Sequence, residues 1–353
     1  MRYLILGIII GLVTNVFLVL HKGGVSVLPT YNANIERMQI AAEADEKIET
    51  FAVKKEDNIL CVNAKGELIA KTNFPQLASV SGDGKFFVQY AKVSGEVEFL
   101  NTKGARFWKI KSPEYPYISA TGKLILLLNG DHSRVRVADY NGNIYSESDM
   151  HGKFCTRITF SDTNDFGAVG FYDGNYYFIS DTGTIFHTGK SPANMMVKNI
   201  AVSSNGKYGA VHSGNEAEDV VALINFEKKS TKRIKLNDVY RTKLPLNVND
   251  NGEITLIELD YIVGYKQNLK PKFKIKIDER RDGQYSIRFG KGFTSLTFIS
   301  KEGAPENILL TDEGTVLVYK AYPNEAYLVT HLSQYSILLR GSENLFGYTL
   351  TGL

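Results

Sequence analysis

Residues 79–88 read "SVSGDGKFFV", and they admit two opposed readings. A glycine-rich turn ahead of a lysine can cradle phosphate, or it can join two antiparallel strands. A phosphate loop needs GxxxxGK followed by Ser or Thr, then a helix whose amino end faces the anion. Here Phe86 follows Lys85, and a β-prone run follows in turn. The turn also recurs along the chain, which a nucleotide loop has no reason to do.

The recurrence sets the architecture. "ADEKIETFAV" (44–53) aligns with "GDGKFFVQYA" (82–91) at an offset of 38, and the same offset carries "NAKGELIA" (63–70) onto "NTKGARFW" (101–108). A further step of 38 brings "ATGKLILLLN" (120–129) and "DYNGNIYS" (139–146). The first turn returns at 161–170, 203–212 and 249–258, the second at 180–187 and 311–319. Asn, Asp and Gly at such places supply positive φ and self-capping side chains for hairpin turns. Four short strands at a period near 40 residues are the signature of a β-propeller blade.

The spacing predicts eight units, at about 35–72, 73–111, 112–149, 150–190, 191–236, 237–278, 279–321 and 322–353. Within each, strands a to d run from the central channel outward. "SGDGK" and its relatives turn a into b, and "NTKG" and its relatives turn c into d. The chain ends before the last unit has a strand d, and the β-prone residues 24–32 are expected to supply it. The expected fold is therefore an all-β, eight-bladed propeller over 23–353. Seven blades is the alternative, should one weak unit not form a full blade.

Composition agrees with this class. Tyr (20), Phe (19) and Gly (31) are plentiful and Pro (9) is scarce, as strands joined by many turns require. A formal charge of +3 gives no argument for a nucleic-acid partner. Cys61 and Cys155 form no CxxC arrangement, which argues against a disulfide framework or zinc site and for two free, buried thiols. No cofactor is indicated.

Residues 4–20, "LILGIIIGLVTNVFLVL", are apolar apart from Thr14 and Asn15, with Arg2 before them and His21 and Lys22 after. As a helix they would span roughly 25 Å, the short end for a bilayer crossing. The run exceeds a usual signal-peptide core, no small-x-small cleavage site follows closely, and no cysteine near its end could take a lipid. An uncleaved transmembrane signal anchor over 1–22 is expected, against a cleaved signal peptide. Flanking charge slightly favours an internal amino terminus. That puts the propeller on the periplasmic or extracellular side of the inner (plasma) membrane. Gly7 and Gly11 form a GxxxG pair that permits a homodimer.

The repeats resemble the WD-repeat-like and quinoprotein-like propeller families over about residues 25–353. Asn63, Asn101, Asp139, Asp181 and Asp312 fall where WD repeats keep an aspartate, without the preceding Trp or the Gly-His pair. "ISDTGTIF" keeps part of a sialidase-type Asp-box, and Trp108 is the only tryptophan, so quinone-docking tryptophan motifs are missing. An anchored eight-unit propeller is also similar in plan to the propeller subunit of the bacterial outer-membrane β-barrel assembly machinery. That resemblance implies a scaffold role and protein partners in an envelope assembly.

Two sets of residues are candidates for function. Asp131, His132, His151 and Asp173 fall on loops of one disc face in neighbouring units, with His212 ending strand b of unit five on the same face, where a convergent cluster could bind a divalent metal or transfer protons. The competing reading is scattered loop polarity. The second set is basic. Residues 228–291 hold 16 Lys or Arg against 8 Asp or Glu. Lys228, Lys229, Lys232 and Arg233 precede "KPKFKIKI", in which Lys270, Lys272, Lys274 and Lys276 alternate with apolar residues. As an outermost strand this segment turns its lysines to water and discourages strand addition. As a functional rim it meets anionic lipid or an acidic partner. The leading expectation is a non-enzymatic interaction scaffold. A propeller enzyme or ligand sensor using the face near His132, His151 and His212 is the alternative.

Overall fold

The computed structural model describes residues 26–41, 49–55, 57–74, 77–91, 95–145, 148–277, 285–290, 292–299, 305–321, 328–332, 336–340 and 344–351. The expected anchor at 1–22, with Gly7 and Gly11, lies outside them. No helix among the described residues is long and apolar enough to cross a membrane.

Among the described residues the strands form eight antiparallel sheets, arranged as the blades of a propeller. Blade 2 runs Leu77–Val80, Phe86–Ala91, Glu96–Asn101, Arg106–Lys111. Blade 3 runs Tyr115–Ile118, Leu124–Leu128, Val135–Asp139, Ile144–Tyr145. Blade 4 runs Cys155–Phe160, Gly167–Phe171, Asn175–Ile179, Ile185–Lys190. Blade 5 runs Met196–Val202, Tyr208–Gly214, Asp219–Asn225, Ser230–Lys235. Blade 6 runs Leu246–Val248, Ile254–Ile257, Tyr261–Tyr265, Pro271–Lys276. Blade 7 starts with Tyr285–Gly290 and ends with Val316–Ala321. In blade 8, Ser26–Asn34 pairs antiparallel with Asn344–Thr351 as the outermost strand, so both ends of the described chain share one sheet.

Strand a of blade 4 touches strand a of blade 5, which touches strand a of blade 6; the first strands therefore line the channel. Blade 1 departs from the expected four strands. Thr50–Lys55, Asn58–Asn63 and Leu68–Asn73 supply b, c and d, and no strand a appears among the described residues. Instead Ile40 makes a parallel bridge to Leu68, on the outer strand.

The core lies in layers between blades. In "LILLL" of blade 3, all five side chains are buried, because successive residues point to opposite faces of a sheet enclosed on both. Ile125 and Leu127 pack with Val97 and Phe99 of blade 2, while Leu124, Leu126 and Leu128 pack with Val169 and Phe171 of blade 4. Cys61 and Cys155 are free and buried, and burial pushes their thiols up to about 11 and about 12. They are therefore poor nucleophiles.

The turn 81–85 consumes its own donors. Gly84 N and Phe86 N donate to Ser81 O and Ser81 Oγ, and Lys85 N donates to Asp83 Oδ1, all at 3.0 Å. Asp83 N reaches Ala120 O of blade 3, and Thr50 Oγ1 of blade 1 donates to Asp83 O. Gly84 has φ +69°, and a Cβ there would lie 2.6 Å from the Phe51 carbonyl carbon. The turn is a three-blade junction, with no ring of spare N–H groups for phosphate.

Ser119, Ser161 and Ser203 repeat the role of Ser81, each accepting on Oγ from the N–H five residues on. Further bonds pass this face from blade to blade. Asp165 accepts from Ser119 Oγ and Thr121 N, and Asn205 N donates to Asp250 Oδ1. In the c–d turns, Asn63, Asn101 and Asp139 accept from the N–H four residues on. In blades 4 and 7 that role falls to Ser180 and Thr311. Asp181 and Asp312, expected there, lie one residue later.

Candidate interaction face

The two disc faces differ in chemistry. One carries the a–b and c–d turns, short and capped by their own side chains. The other carries the b–c loops and the d–a connections. Among the described residues, the large apolar side chains exposed outside the named strands are Ile40, Phe154, Tyr172, Val239 and Leu259, joined by Leu77 at the start of its strand. All but Ile40, which bridges Leu68 beside the c–d turn of blade 1, lie on the second face. Tyr117 is exposed on strand a of blade 3, and Phe107, Tyr145, Phe186 and Val316 are exposed on outer strands.

Between blades 4, 5 and 6 the second face holds a groove of about 1560 Å³, walled by Tyr172, Asp173, Asn194, Glu216, Val239 and Arg241. Its floor is built on charge. Lys198 lies on strand a of blade 5, His212 on b and Asp219 at the start of c. Lys198 Nζ donates to Asp219 Oδ1 at 2.6 Å and also to Tyr240 O, and Tyr240 N donates to Asp219 Oδ2 at 3.0 Å. His212 Nε2 lies 3.1 Å from Asp219 Oδ2, and its Nδ1 is buried without a hydrogen-bond partner. Burial alone would raise the Asp219 carboxyl. The bonds from His212, Lys198 and Tyr240 N–H outweigh it and hold the group below the ordinary carboxylate range. Gly214 leaves room for this carboxylate: a Cβ there would fall 1.6 Å from Asp219 Oδ1. The arrangement pins three strands and the 239–241 loop together, and the Lys198 ammonium is already committed to two acceptors.

The five candidate ligands do not converge. Asp131 accepts from Ser133 N, and that bond first among several lowers its carboxyl. His132 stacks on Phe154 with ring centroids 5.5 Å apart, while its carbonyl accepts from Cys155 N. His151 bridges Arg134, so the b–c loop of blade 3 is zipped to the connection entering blade 4. Asp173 caps Asn175 N at the groove wall, and His212 lies wholly buried beneath the floor. No group of three metal-ligating side chains occurs among the described residues.

The basic residues occupy the rim. Lys228 and Lys229 lie in the c–d turn of blade 5, with Lys232 and Arg233 exposed on its outer strand. Lys270, Lys274 and Lys276 are exposed along the outer edge of blade 6, while Phe273 and Ile275 pack inward against Ile308 and Leu310 of blade 7. Lys274 Nζ sits 3.8 Å from the Tyr261 ring centroid. Lys272 is different: its side chain is 9% exposed and bonds Glu253 at 2.8 Å and Glu313 at 2.9 Å, tying blade 6 to blade 7. Lys232 Nζ donates to Gln267 O and Lys274 also lies 4.0 Å from Glu258, so the rim cations are only partly open to a partner. Sequence reasoning missed Lys198 and Asp219, although a lysine inside "MVKNIAV" and an acid opening "DVVALIN" mark charge placed in apolar strands.

A sequence model for a family described as beta-propeller protein matches residues 3–290. Among solved structures, the Dos1 propeller superposes with a TM-score of 0.61 at 11% identity, over 92% of this chain and 95% of that one. BamB from Moraxella catarrhalis gives 0.57 at 13% identity, over 91% and 97%. The dihydro-heme d1 dehydrogenase NirN, in complex with DHE, gives 0.57 at 11%, over 92% and 79%. At such identities the likeness concerns the fold alone. No curated protein sequence matches the chain.

Proposed function

Because this chain belongs to the β-propeller protein family, we propose that it is a protein-interaction scaffold, tethered to a membrane through residues 1–22 and docking its partner on the b–c/d–a face. The observation that carries this reading is the predominance of exposed apolar loop side chains on one face. Phe154, Tyr172, Val239 and Leu259 are on the face that holds the groove, whereas among the described residues Ile40 alone is so exposed beside a turn of the opposite face. Apolar anchors beside a polar-rimmed groove are what a protein partner can desolvate. The buried Lys198–Asp219 pair supports docking by fixing the floor. The apolar run 4–20 supports the tether, which would hold eight blades outside the cytoplasm as part of an envelope-associated assembly.

Site-specific photocrosslinking in native membranes tests the docking face. A crosslinker at Tyr172 or Val239 is expected to give a discrete protein adduct, and one at Lys207, in an a–b turn, none. Equal labelling at Lys207, or no adduct at the groove, overturns the assignment. Alkaline extraction tests the tether separately. The full chain should stay with the membrane and residues 23–353 should be released; release of both refutes the anchor without touching the docking face.

A further inference from the structure

A second cavity lies at the central channel, apart from the groove of the docking face. It measures about 360 Å³ and opens between the inner strands of blades 4 to 7. Half-buried Phe160 and Phe289 add apolar lining, while Ile200 and Leu246, also at the cavity, belong to the inter-blade cores. Arg157, Asn199 and Lys243 form a polar end. Arg157 is fixed in place: its Nε donates to Asn199 Oδ1 at 3.0 Å, while Asn199 Nδ2 donates to Leu244 O at 2.7 Å. One asparagine thus aligns the guanidinium with the backbone that carries Lys243.

Among the described residues no carboxylate pairs with either cation. Asp162 also lines the cavity, but it belongs to the a–b turn, at the far end of strand a from the connection carrying Lys243. The two positive charges feel each other. Arg157 lowers the Lys243 ammonium, and burial lowers Arg157. Bringing two cations together in a partly desolvated space costs stability unless an anion joins them. A planar guanidinium with four N–H donors unspent suits a bidentate oxyanion, and a lysine adds a point charge. The volume is at the small end of small-molecule sites.

We propose that the channel binds a small organic anion, its carboxylate or phosphate head between Arg157 and Lys243 and its apolar body against Phe160 and Phe289. Carboxylate and phosphate share the chemistry that the two cations recognise, so separate probes must distinguish them.

The test uses the full chain in detergent, with calorimetric titration and thermal unfolding against benzoate, phenyl phosphate, inorganic phosphate and benzyl alcohol. Benzoate or phenyl phosphate should bind and raise Tm, while benzyl alcohol, which lacks the charge, should not. Inorganic phosphate should bind at least tenfold more weakly than phenyl phosphate; equal binding overturns the role of the apolar lining. Arg157→Gln and Lys243→Gln should each weaken the better organic anion at least tenfold. Lys243→Gln should also leave the unliganded Tm unchanged or raised, because it removes repulsion. The proposal fails if neither organic anion binds. It fails equally if Lys243→Gln binds normally, or if that variant lowers the unliganded Tm.

Discussion

Lys198 Nζ stands 2.6 Å from Asp219 Oδ1, with 4% of the lysine side chain and none of the aspartate exposed. The pair crosses from the inner strand of blade 5 to its third strand, passing His212 on the second. It sits under a groove whose walls are loops, and loops hold a shape only if something beneath them does.

Removing one charge of that pair should therefore be expensive. Asp219→Asn keeps the shape but leaves the Lys198 ammonium buried without its counterion, and breaking a buried pair in this way costs about 3–5 kcal/mol. Lys198→Met combined with Asp219→Asn should cost less than the two single changes added together, since the stranded charge is gone. The pH dependence has a definite sign. Asp219 is held below its unfolded value, so its contribution is full above the unfolded carboxylate pKa of about 3.9 and fades as pH falls through the folded value. Urea unfolding at descending pH should show wild type converging on Asp219→Asn. Parallel curves, or a cost under about 1 kcal/mol for Asp219→Asn, would refute the pair as the anchor of the groove.

Gly84 and Gly104 separate backbone geometry from close approach. Both have positive φ, +69° and +87°, but a Cβ on Gly84 meets the Phe51 backbone at 2.6 Å whereas Gly104 has nothing within 4 Å. Gly104→Ala should cost the left-handed penalty alone, about 1–2 kcal/mol. Gly84→Ala should cost clearly more, because the junction of blades 1, 2 and 3 must open. Equal losses in chemical denaturation would mean that the "SGDGK" turn does not clamp its neighbours.

The alternating lysines of blade 6 should divide by burial. Lys272→Gln leaves part-buried Glu253 with its bond from Asn249 but no cation, frees the exposed Glu313, and disturbs the neighbouring Asp312, whose carboxyl is raised, chiefly by burial. A loss of about 1–3 kcal/mol is expected. Neutralising Lys228, Lys229, Lys232 and Arg233 together should change stability by under about 1 kcal/mol, since they lie on an exposed strand and turn. The same variant should weaken salt-sensitive binding to vesicles containing anionic lipid, if the rim faces a membrane. Unaltered cosedimentation would dismiss the rim, and an unaltered Lys272→Gln would dismiss the inter-blade tie.

The turns were legible because their chemistry is local. "SGDGK" and "NTKG" need positive φ and short polar side chains wherever they occur, so the sequence repeats them with the blade. What resists reading is contact across blades. Lys198, His212 and Asp219 belong to three strands, and nothing in their spacing says that they meet. Arg157, on strand a of blade 4, and Lys243, on the connection entering blade 6, come together only because these segments converge on the channel. His212 was expected on a loop face with His132 and His151. The pleat of its strand turns its ring inward instead, toward Asp219. In blade 1 no strand a appears among the described residues, and Ile40 bridges the outer strand at Leu68, a pairing that periodicity does not announce.

The ring closure yields the last prediction. Ser26–Asn34 is the outer strand of blade 8, and its partners run from Ser26 opposite Thr351 to Asn34 opposite Asn344. Asn34 then caps the turn that sets Ile35 against Phe51 and Leu345, joining blade 8 to blade 1. In the proposed tethered form, the anchor immediately precedes this strand. Residues 26–353 should fold with the full chain's cooperativity. Residues 35–353 should unfold at lower denaturant and self-associate, because the Asn344–Thr351 strand becomes an open edge. Adding a peptide of residues 26–34 in excess should restore part of the lost stability by mass action. If residues 35–353 match residues 26–353 in midpoint and remain monomeric in sedimentation, the strand is an ornament on the ring and not its closure.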